Sequence, residues 1–522
     1  MLYNLDWLVE GGTFPPPGET ARIRNYIASE QYFNSEHWSS RLGSLYYEYA
    51  QRINRISGKT VDIISFPVLL NYQRLLALKT ADLVCGEYPL ITGKNPTDNE
   101  TLKTFREDLD FDTKAFATVI DLCRYGDCVW RMYKDSASKD AFTVWDIKDW
   151  YPIVSQDGTL TILKHVLAWI ETLGSIGSES YRLHVQIHSD GEYETRVYEL
   201  SPVAVQKVGV TLGDVLVQTD ATAIRSIGRL VGKPILSTKT GYEGNAVIHI
   251  RNMAVSNTIY GYDDYIPIDS LIAELMTRMA QVSKILDKHA DPSMTGPAGL
   301  AKVDKETGER YFEAGDYYGS NPGDTEIKYL TWEGQLEAGF KQIEILTQQL
   351  YILTEMGSAL LGAGGAESGQ AISGTAMRFK LANPLAKARR ISNLLTLPAR
   401  SLFSICTKID KKDIAIVWQD GLPDDPKETM DMLKVATGQT QMMPLKVGIE
   451  EILKRTPEEA DLWIAEIEKN KQTEMERTIA LGQSKITEPD GSYKKTGSPQ
   501  KNSSSTGLNK PNRKSIDGSE DK

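Results

Sequence analysis

The chain has 522 residues, 41% hydrophobic and 25% charged, an ordinary globular balance whose length suggests about three domain-sized units. Lys and Arg total 59 against 70 Asp and Glu, and the net charge of -11 excludes nucleic-acid binding over the whole surface, because tight backbone binding needs a basic footprint. Any DNA contact must come from local patches or be loose. The four cysteines, Cys85, Cys123, Cys128 and Cys406, make no disulfide framework and fit a reducing, cytosolic site of assembly. No apolar run approaches the ~18 residues of a membrane span, and the start, with Asp6, Glu10 and no basic residue, does not read as a secretory signal. A soluble intracellular protein is expected.

The chain opens with a Pro-rich strap, Thr13-Phe14-Pro15-Pro16-Pro17-Gly18, which reads as extended and semi-rigid. A helix is expected from about Glu19, with Ile23, Tyr26 and Ile27 on one face, and another over Arg41–Arg55. A third spans Phe66–Val84, where Leu69, Leu70, Leu75, Leu76 and Leu83 recur at helical spacing and Gly86 and Pro89 mark the stop. A helix over Asp112–Arg124 ends at Gly126. From Asp127 to about Val255 the pattern is of strands. Asp157-Gly158 separates Tyr151–Val154 from Leu160–Leu163 as a hairpin turn. Tyr181–His188 alternates with period two, turns at Asp190-Gly191 and returns through Tyr193, Thr195, Val197 and Tyr198. Ala246–Ile250 reads as a short buried strand.

The character then changes. Pro267 opens a long amphipathic helix to about Lys288, with Leu271, Leu275, Met279, Val282 and Leu286 as its apolar stripe and Arg278, Gln281 and Lys288 opposite. Residues 290–332 are short elements punctuated by turns, with Lys302-Val303-Asp304 and Arg310-Tyr311-Phe312 expected to pair as a hairpin. A second long helix is expected over Glu333–Leu361, with Phe340, Ile343, Leu346, Leu350, Leu353 and Met356 inward. Gly362–Gly369 reads as a flexible loop. A helix over Thr375–Lys408, expected to kink at Pro384 and Pro398, contains Arg378, Lys380, Lys387, Arg389, Arg390, Arg400 and Lys408 and no carboxylate. Ile414–Trp418 reads as a strand, and Pro426 to about Ala480 as helices. From Gly482 onward apolar residues nearly vanish, and a disordered tail is expected.

Catalytic signatures are weak. The glycines of 362–369 follow a helix and have the wrong spacing for a dinucleotide loop, and no Gly-Lys-Ser/Thr phosphate loop occurs. Cys123 and Cys128 lack a second ligand pair, the six histidines show no zinc spacing, and no Gly-x-Ser-x-Gly elbow is present. Asp263-Asp264 and Asp424-Asp425 read as turn and cap residues. No enzyme, cofactor or metal is expected.

Five stretches in order carry a resemblance. They are Asn71-Tyr72-Gln73-Arg74 through Lys79 to Gly86-Glu87-Tyr88-Pro89; Tyr125-Gly126-Asp127-Cys128-Val129-Trp130 with Asp146 to Pro152; and His249-Ile250-Arg251-Asn252 with Tyr260-Gly261-Tyr262-Asp263-Asp264. Ser373-Gly374-Thr375-Ala376 and Trp418 to Pro423 complete the set. Together, over roughly residues 65–425, they resemble the portal (head–tail connector) proteins of long-tailed bacteriophages. Tyr262 or Asp263 stands where that family usually has Ser.

The resemblance implies an α+β portal-like fold and a ring, usually of twelve subunits, in the virion at one capsid vertex, assembled in the host cytoplasm. Residues 1–265 would form the wing, 266–289 and 333–361 the stem helices and 290–332 the clip. Residues 362–374 would be the tunnel loop, 375–425 a kinked helix and closing wing strand, 426–480 the crown and 481–522 the tail. Double-stranded DNA would pass through the channel; the terminase large subunit, head-completion or adaptor proteins, and the major capsid and scaffolding proteins would be partners. Two long amphipathic helices around a small insert agree with a ring, because one helix pair cannot bury both stripes whereas neighbours can. Sliding DNA calls for an acidic wall with a few spaced cations, since each neutralised phosphate steepens the salt dependence of binding.

Arg278, Lys284, Lys288, Glu367, Ser368, Gln370, Arg378 and Lys380 are candidates for the channel side, although the stem cations could instead pair with Glu274, Asp287 or Glu344. Lys305, Glu306, Glu309 and Arg310 are candidates for terminase or adaptor contact, and Lys387, Arg389, Arg390 and Arg400 for ion pairs between subunits. The alternatives are another ring-forming virion protein, such as an adaptor or baseplate component, and a nucleic-acid enzyme.

Overall fold

The computed structural model describes residues 1–36, 69–175, 178–202, 209–212, 215–218, 224–290, 294–295, 302–303, 310–311, 328–329, 336–358, 378–419, 426–438, 442–453, 455 and 457–484. They fall into two units, Met1–Asp424 and Asp425–Lys522.

In the first unit the strap supplies strand β1 (Thr13–Phe14), and α1 (Thr20–Phe33) follows. The helix expected over Arg41–Arg55 lies outside the described residues. Helix α2 (Tyr72–Cys85) starts later than its leucines suggest, because Asn71 caps it by accepting the Arg74 N–H at 2.9 Å; Leu69 and Leu70 precede the cap. Strand β2 (Leu90–Thr92) and helix α3 (Pro96–Asp108) have no counterpart in the sequence reading. The only buried residue of α3 is Leu102, too little apolar periodicity to see, although Asn95 and Pro96 form a regular helix start.

Helix α4 (Phe111–Tyr125) ends at Gly126, where φ is +81°. A Cβ there would lie 2.6 Å from the Tyr262 backbone, and one on Gly261 would lie 1.9 Å from the Gly126 carbonyl oxygen. Two glycines from distant motifs therefore let two turns pack backbone against backbone.

The strands follow as β3 (Asp127–Lys134), β4 (Asp140–Trp145), β5 (Trp150–Val154), β6 (Ile162–Leu173), β7 (Ser180–Ser189), β8 (Glu192–Leu200), β9 (Gly209–Leu212), β10 (Val215–Gln218), β11 (Arg225–Leu230), β12 (Ile235–Lys239) and β13 (Val247–Arg251). A seven-stranded sheet runs β1-β11-β8-β7-β6-β5, with β12 also on β8. Both expected hairpins are present. β5 pairs with β6, and β7 with β8 in continuous register from Tyr181↔Leu200 to Ser189↔Glu192. Strands β13, β3 and β4 make a smaller antiparallel sheet between two cores. Alternation along β3 sends Trp130 and Met132 to the helical core of α2, α4 and Phe403, and Val129 to the core under the large sheet with Trp7, Phe14, Trp150 and Tyr151.

Helix α5 (Ile266–Ala290) begins where Asp263 accepts the N–H groups of Tyr265 and Ile266 at 2.9 and 2.7 Å, the capping role read for it. The short strands β14 (Met294–Thr295), β15 (Lys302–Val303), β16 (Arg310–Tyr311) and β17 (Lys328–Tyr329) follow. The expected 302–303/310–311 hairpin is formed, and β14 closes on β17 around it. Helix α6 (Leu336–Leu353) stops well short of residue 361, with Glu355 left-handed at φ +58°.

After the undescribed 359–377, a helical turn at 378–380 breaks at Leu381 and restarts as α7 (Ala382–Thr407). Pro384 lies in the first turn of α7, where no intrahelical N–H bond is lost, so the kink expected there has no cause; Pro398 alone sits inside the helix. Strand β18 (Ala415–Val417) then pairs with β2, far back in the sequence.

Among its described residues the second unit has three helices, α8 (Pro426–Thr437), α9 (Leu445–Ile452) and α10 (Pro457–Ser484). Ile449 and Ala460 are buried, Lys446 pairs with Asp461 at 2.6 Å, and the Arg455 guanidinium lies 5.3 Å from the Trp463 ring centroid. The tail expected from 481 lies, from residue 485, outside the described residues.

Candidate functional site

Buried charge, rather than a catalytic cluster, distinguishes the first unit. Glu19 accepts from Arg22 Nε at 2.6 Å and from the Tyr260 hydroxyl at 2.7 Å. Burial alone would raise the Glu19 carboxyl, but Arg22 and Tyr260 bring it below its ordinary range. The Arg22 guanidinium also donates to the Trp150 carbonyl at 2.7 Å and lies 4.8 Å from the Tyr260 ring centroid and 5.1 Å from that of Tyr26. Beside it, Asp127 accepts from the Tyr26 hydroxyl at 2.6 Å, the Gly261 N–H at 2.9 Å and His249 Nε2 at 2.7 Å. The "Tyr-Gly-Asp" stretch and the Tyr260-Gly261 turn are thus one hydrogen-bonded joint between α1, β3 and the approach to α5.

Histidines pack against it. His249 stacks on Trp150 at 4.3 Å, and Trp150 Nε1 donates to His165 Nδ1 at 3.1 Å. His165 and His188 are cross-strand partners, and burial pushes each down to about 3, so both are neutral near pH 7. A cleft of about 910 Å³ opens beside them, lined by His165, His249, Ser401 and Ser404, with Lys408 and Lys411 alternating with Glu243 and Asp410. It presents no single sign of charge.

Cys123 and Cys128 are buried, and burial raises both thiols, which fits inert packing rather than ligation. Among the described residues no group of three or more His, Cys, Asp or Glu could hold a metal ion.

The two long helices are less covered by their own chain than the sequence stripes suggest. In α5 the buried face is Ile268, Ile272, Leu275, Met276 and Ala280, whereas Leu271, Met279 and Val282 stay half-buried and Leu286 is 48% exposed. Of the expected inward face, Leu350 in α6 and Met356 just beyond it are buried; Phe340 is 52% exposed, and Ile345, Ile352 and Leu353 are exposed as well. The start of α6 meets the end of α5 at Gly339, which faces Val282.

The predicted site residues separate into groups. Arg278 pairs with Glu274 at 2.6 Å and Gln281 at 3.0 Å along its own helix. Lys284 and Lys288 lie on that helix, but their side chains are outside the described residues, as are those of Arg310, Lys305, Glu306 and Glu309, and of Glu367, Ser368 and Gln370. Arg378, Lys380 and Arg389 are exposed around the start of α7. Arg400 is half-buried, and its Nε finds no hydrogen-bond acceptor.

Two of the cations expected to pair between subunits pair within the chain. Lys387 is buried and lies 2.8 Å from Asp264, and Arg390 lies 2.9 Å from Glu355. For Lys387 this is a correction, because its ammonium is enclosed and already matched. Burial would depress it, but Asp264 holds it above its ordinary value. The signal was present: Lys387 sits among Pro384, Ala388, Ile391 and Leu395, the buried face of α7, where an unpaired cation is too costly to stand.

The family model for phage portal proteins of the SPP1 Gp6-like type matches residues 46–473. No curated protein matches the chain in sequence. Among solved structures, the chain is similar to one in the neck of a native GTA particle computed with C12 symmetry, at 11% identity and TM-score 0.40. It is also similar to one in the virion of a native gene transfer agent particle, at 11% and 0.41, and to one in the neck of an empty GTA particle computed with C6 symmetry, at 13% and 0.41. Each comparison covers 73% of this chain and 88% of the other. With most of its length matched by one family, the chain belongs to the phage portal proteins, SPP1 Gp6-like, head–tail connector components of the virion.

Proposed function

We propose that the chain is one subunit of a closed ring, most simply of twelve copies, set at one capsid vertex as the channel through which double-stranded DNA is packaged and later leaves. The observation that carries this reading is the pair α5 and α6 around the small paired-strand insert. Their exposed Leu286, Phe340, Ile345 and Ile352 form apolar surface that one chain leaves in water and ring neighbours can cover. Residues 1–265 with 375–425 act as wing, 266–289 and 333–361 as stem, 290–332 as clip, 362–374 as tunnel loop and 426–480 as crown. The clip, with Lys305, Glu306, Glu309 and Arg310, meets the terminase large subunit and then head-completion or adaptor proteins, while the outer wing faces major capsid and scaffolding proteins.

The channel side carries Arg278, Lys284 and Lys288 from the stem, Glu367, Ser368 and Gln370 from the loop, and Arg378 and Lys380 after it. The Arg278–Glu274 pair supports a weak grip, because a guanidinium already matched by a carboxylate adds little phosphate affinity. The exposed Arg389 and the half-buried Arg400 remain for contacts between subunits. In this role the protein performs no catalysis and needs no cofactor.

Light scattering with negative-stain imaging of the same fraction tests the ring. A species near twelve chain masses, with a central hole end-on, is the expected result. A ring of another subunit number would change the stoichiometry and keep the channel. A monomer that persists at high concentration with scaffold present would overturn the reading.

A further inference from the structure

Three chain segments far apart in sequence converge on one enclosed ammonium. Lys387 Nζ lies 2.8 Å from Asp264 Oδ2 and donates to the Thr354 carbonyl at 3.3 Å. Asp264 is itself placed: its N–H donates to the Cys123 carbonyl at 2.8 Å, and its Oδ1 accepts from Asn252 Nδ2 at 3.4 Å. It follows directly on Asp263, the residue capping α5, while Thr354 is the first residue beyond α6. Next to Thr354, Glu355 is left-handed and pairs with Arg390, one turn along from Lys387. Gly357 lies so close to the Lys380 carbonyl that a Cβ would come within 3.3 Å of it. The chain therefore leaves at 357 and returns at 380 at one place, and that place is tied to the start of α5.

A buried ion pair is a poor choice for stability alone, since apolar replacements of similar volume commonly fold as well or better, whereas it fixes one relative arrangement of the parts that supply the charges. We infer that Lys387 is a positioning residue: by joining Asp264 to the Thr354 carbonyl, it fixes the two ends of the 358–379 connection relative to the N-terminus of the first stem helix. The inference rests on the channel reading for its purpose, because under that reading the connection contains the loop facing DNA. A displacement at that connection would reach α5 through this contact instead of being absorbed at the ends of α6 and α7.

The test uses the full chain and the double variant Lys387→Met/Asp264→Leu, followed by thermal unfolding and hydrogen exchange. The expected result is a folded protein in which amides of 354–358 and 378–387 exchange at least tenfold faster, while those of 181–200 exchange as in the wild type. In the wild type, amides 354–357 should exchange as slowly as those in the middle of α7. Unchanged exchange in the double variant would show the pair to be mere filling, and failure of the double variant to fold would show it to be a stability element; either overturns the inference. Frayed, fast exchange at 354–357 in the wild type overturns it as well. None of these readouts depends on ring formation, so failure of the channel reading would be seen separately in the light scattering.

Discussion

The two regions proposed above as wing and stem helices solve the same problem differently. In the wing, the large side chains of two cores are covered within the chain, although Leu236 and Leu397 stay exposed: Trp130 is edge-on to Phe111 at 6.1 Å, Phe403 lies 5.0 Å from Phe111, and Trp150 and Tyr151 close the other core. Some polar groups taken inside are matched there, as Trp130 Nε1 donates to the Thr118 hydroxyl at 2.7 Å, whereas Trp7 Nε1 and Trp145 Nε1 find no acceptor among the described residues. The two long helices also carry apolar stripes, yet they leave Phe340 and Ile352 more than half exposed. Hydrophobic pattern thus reports that a face will be covered, not by what. In the two cores the cover is intramolecular, and along α5 and α6 part of it is missing from the chain itself, cover that the proposed ring would supply.

Substitutions can break that contrast. The largest effect expected is from Lys387→Met alone, which strands Asp264 as an uncompensated buried charge and should cost about 3–5 kcal/mol of unfolding free energy in denaturant titration. Trp150→Ala in the wing core should cost a comparable ~3–5 kcal/mol by the same measurement. Phe340→Ser in α6 should instead leave the monomer's unfolding within about 0.5 kcal/mol and abolish the large species in light scattering. Equal destabilisation by the wing and stem substitutions would erase the distinction.

The pH dependence sharpens it next. His165 is held at about 3 in the folded chain against about 6.5 unfolded, so its contribution is complete above pH ~6.5 and is lost as pH falls toward 3. Asp121 and Asp149, pushed by burial up to about 6 and about 7, act in the opposite sense over the acid range, so the clean observable is a difference. His165→Asn retains an acceptor for Trp150 and does not titrate. Wild-type stability minus that of His165→Asn should fall by about 1.4 kcal/mol per pH unit below pH ~6. A flat difference would mean that the imidazole is not enclosed.

Smaller effects belong to the junction between the regions. Asp263→Ala removes the cap of α5 and should cost about 1 kcal/mol. Arg390→Gln breaks a half-exposed pair and should cost about 0–1 kcal/mol, falling further in high salt.

Much of this was legible where one periodicity acts alone. The alternation of Tyr181–His188 placed a strand and its turn, and Asp263 was visible as a cap. What escaped was set by distant partners. Strand β2 is three residues long and acquires meaning only by pairing with Ala415–Val417, which was itself legible within Ile414–Trp418, and α3 has a single buried residue. The buried stripe of α5 is centred on Ile268, Ile272 and Met276, with Leu271 only partly buried at the edge of that core and Met279 outside it. Among the site residues, spacing could place Lys387 on a helix but could not identify Asp264 as its partner, since charge pairing across folds leaves no local periodicity.

The pairing of β2 with β18 has a consequence for how such a chain is made. The helical core is built from discontinuous chain: its first part is synthesised before α5 and α6, and Phe111 must wait for Phe403, and Ile91 for Ile416, before that core can close. On the ribosome the early wing strands can pair among themselves, but the helical core stays open until the returning segment emerges. Between α5 and α6 the described strands pair only with one another, β14 with β17 and β15 with β16, so a change of length there need not disturb the register of β3, β13 or the seven-stranded sheet.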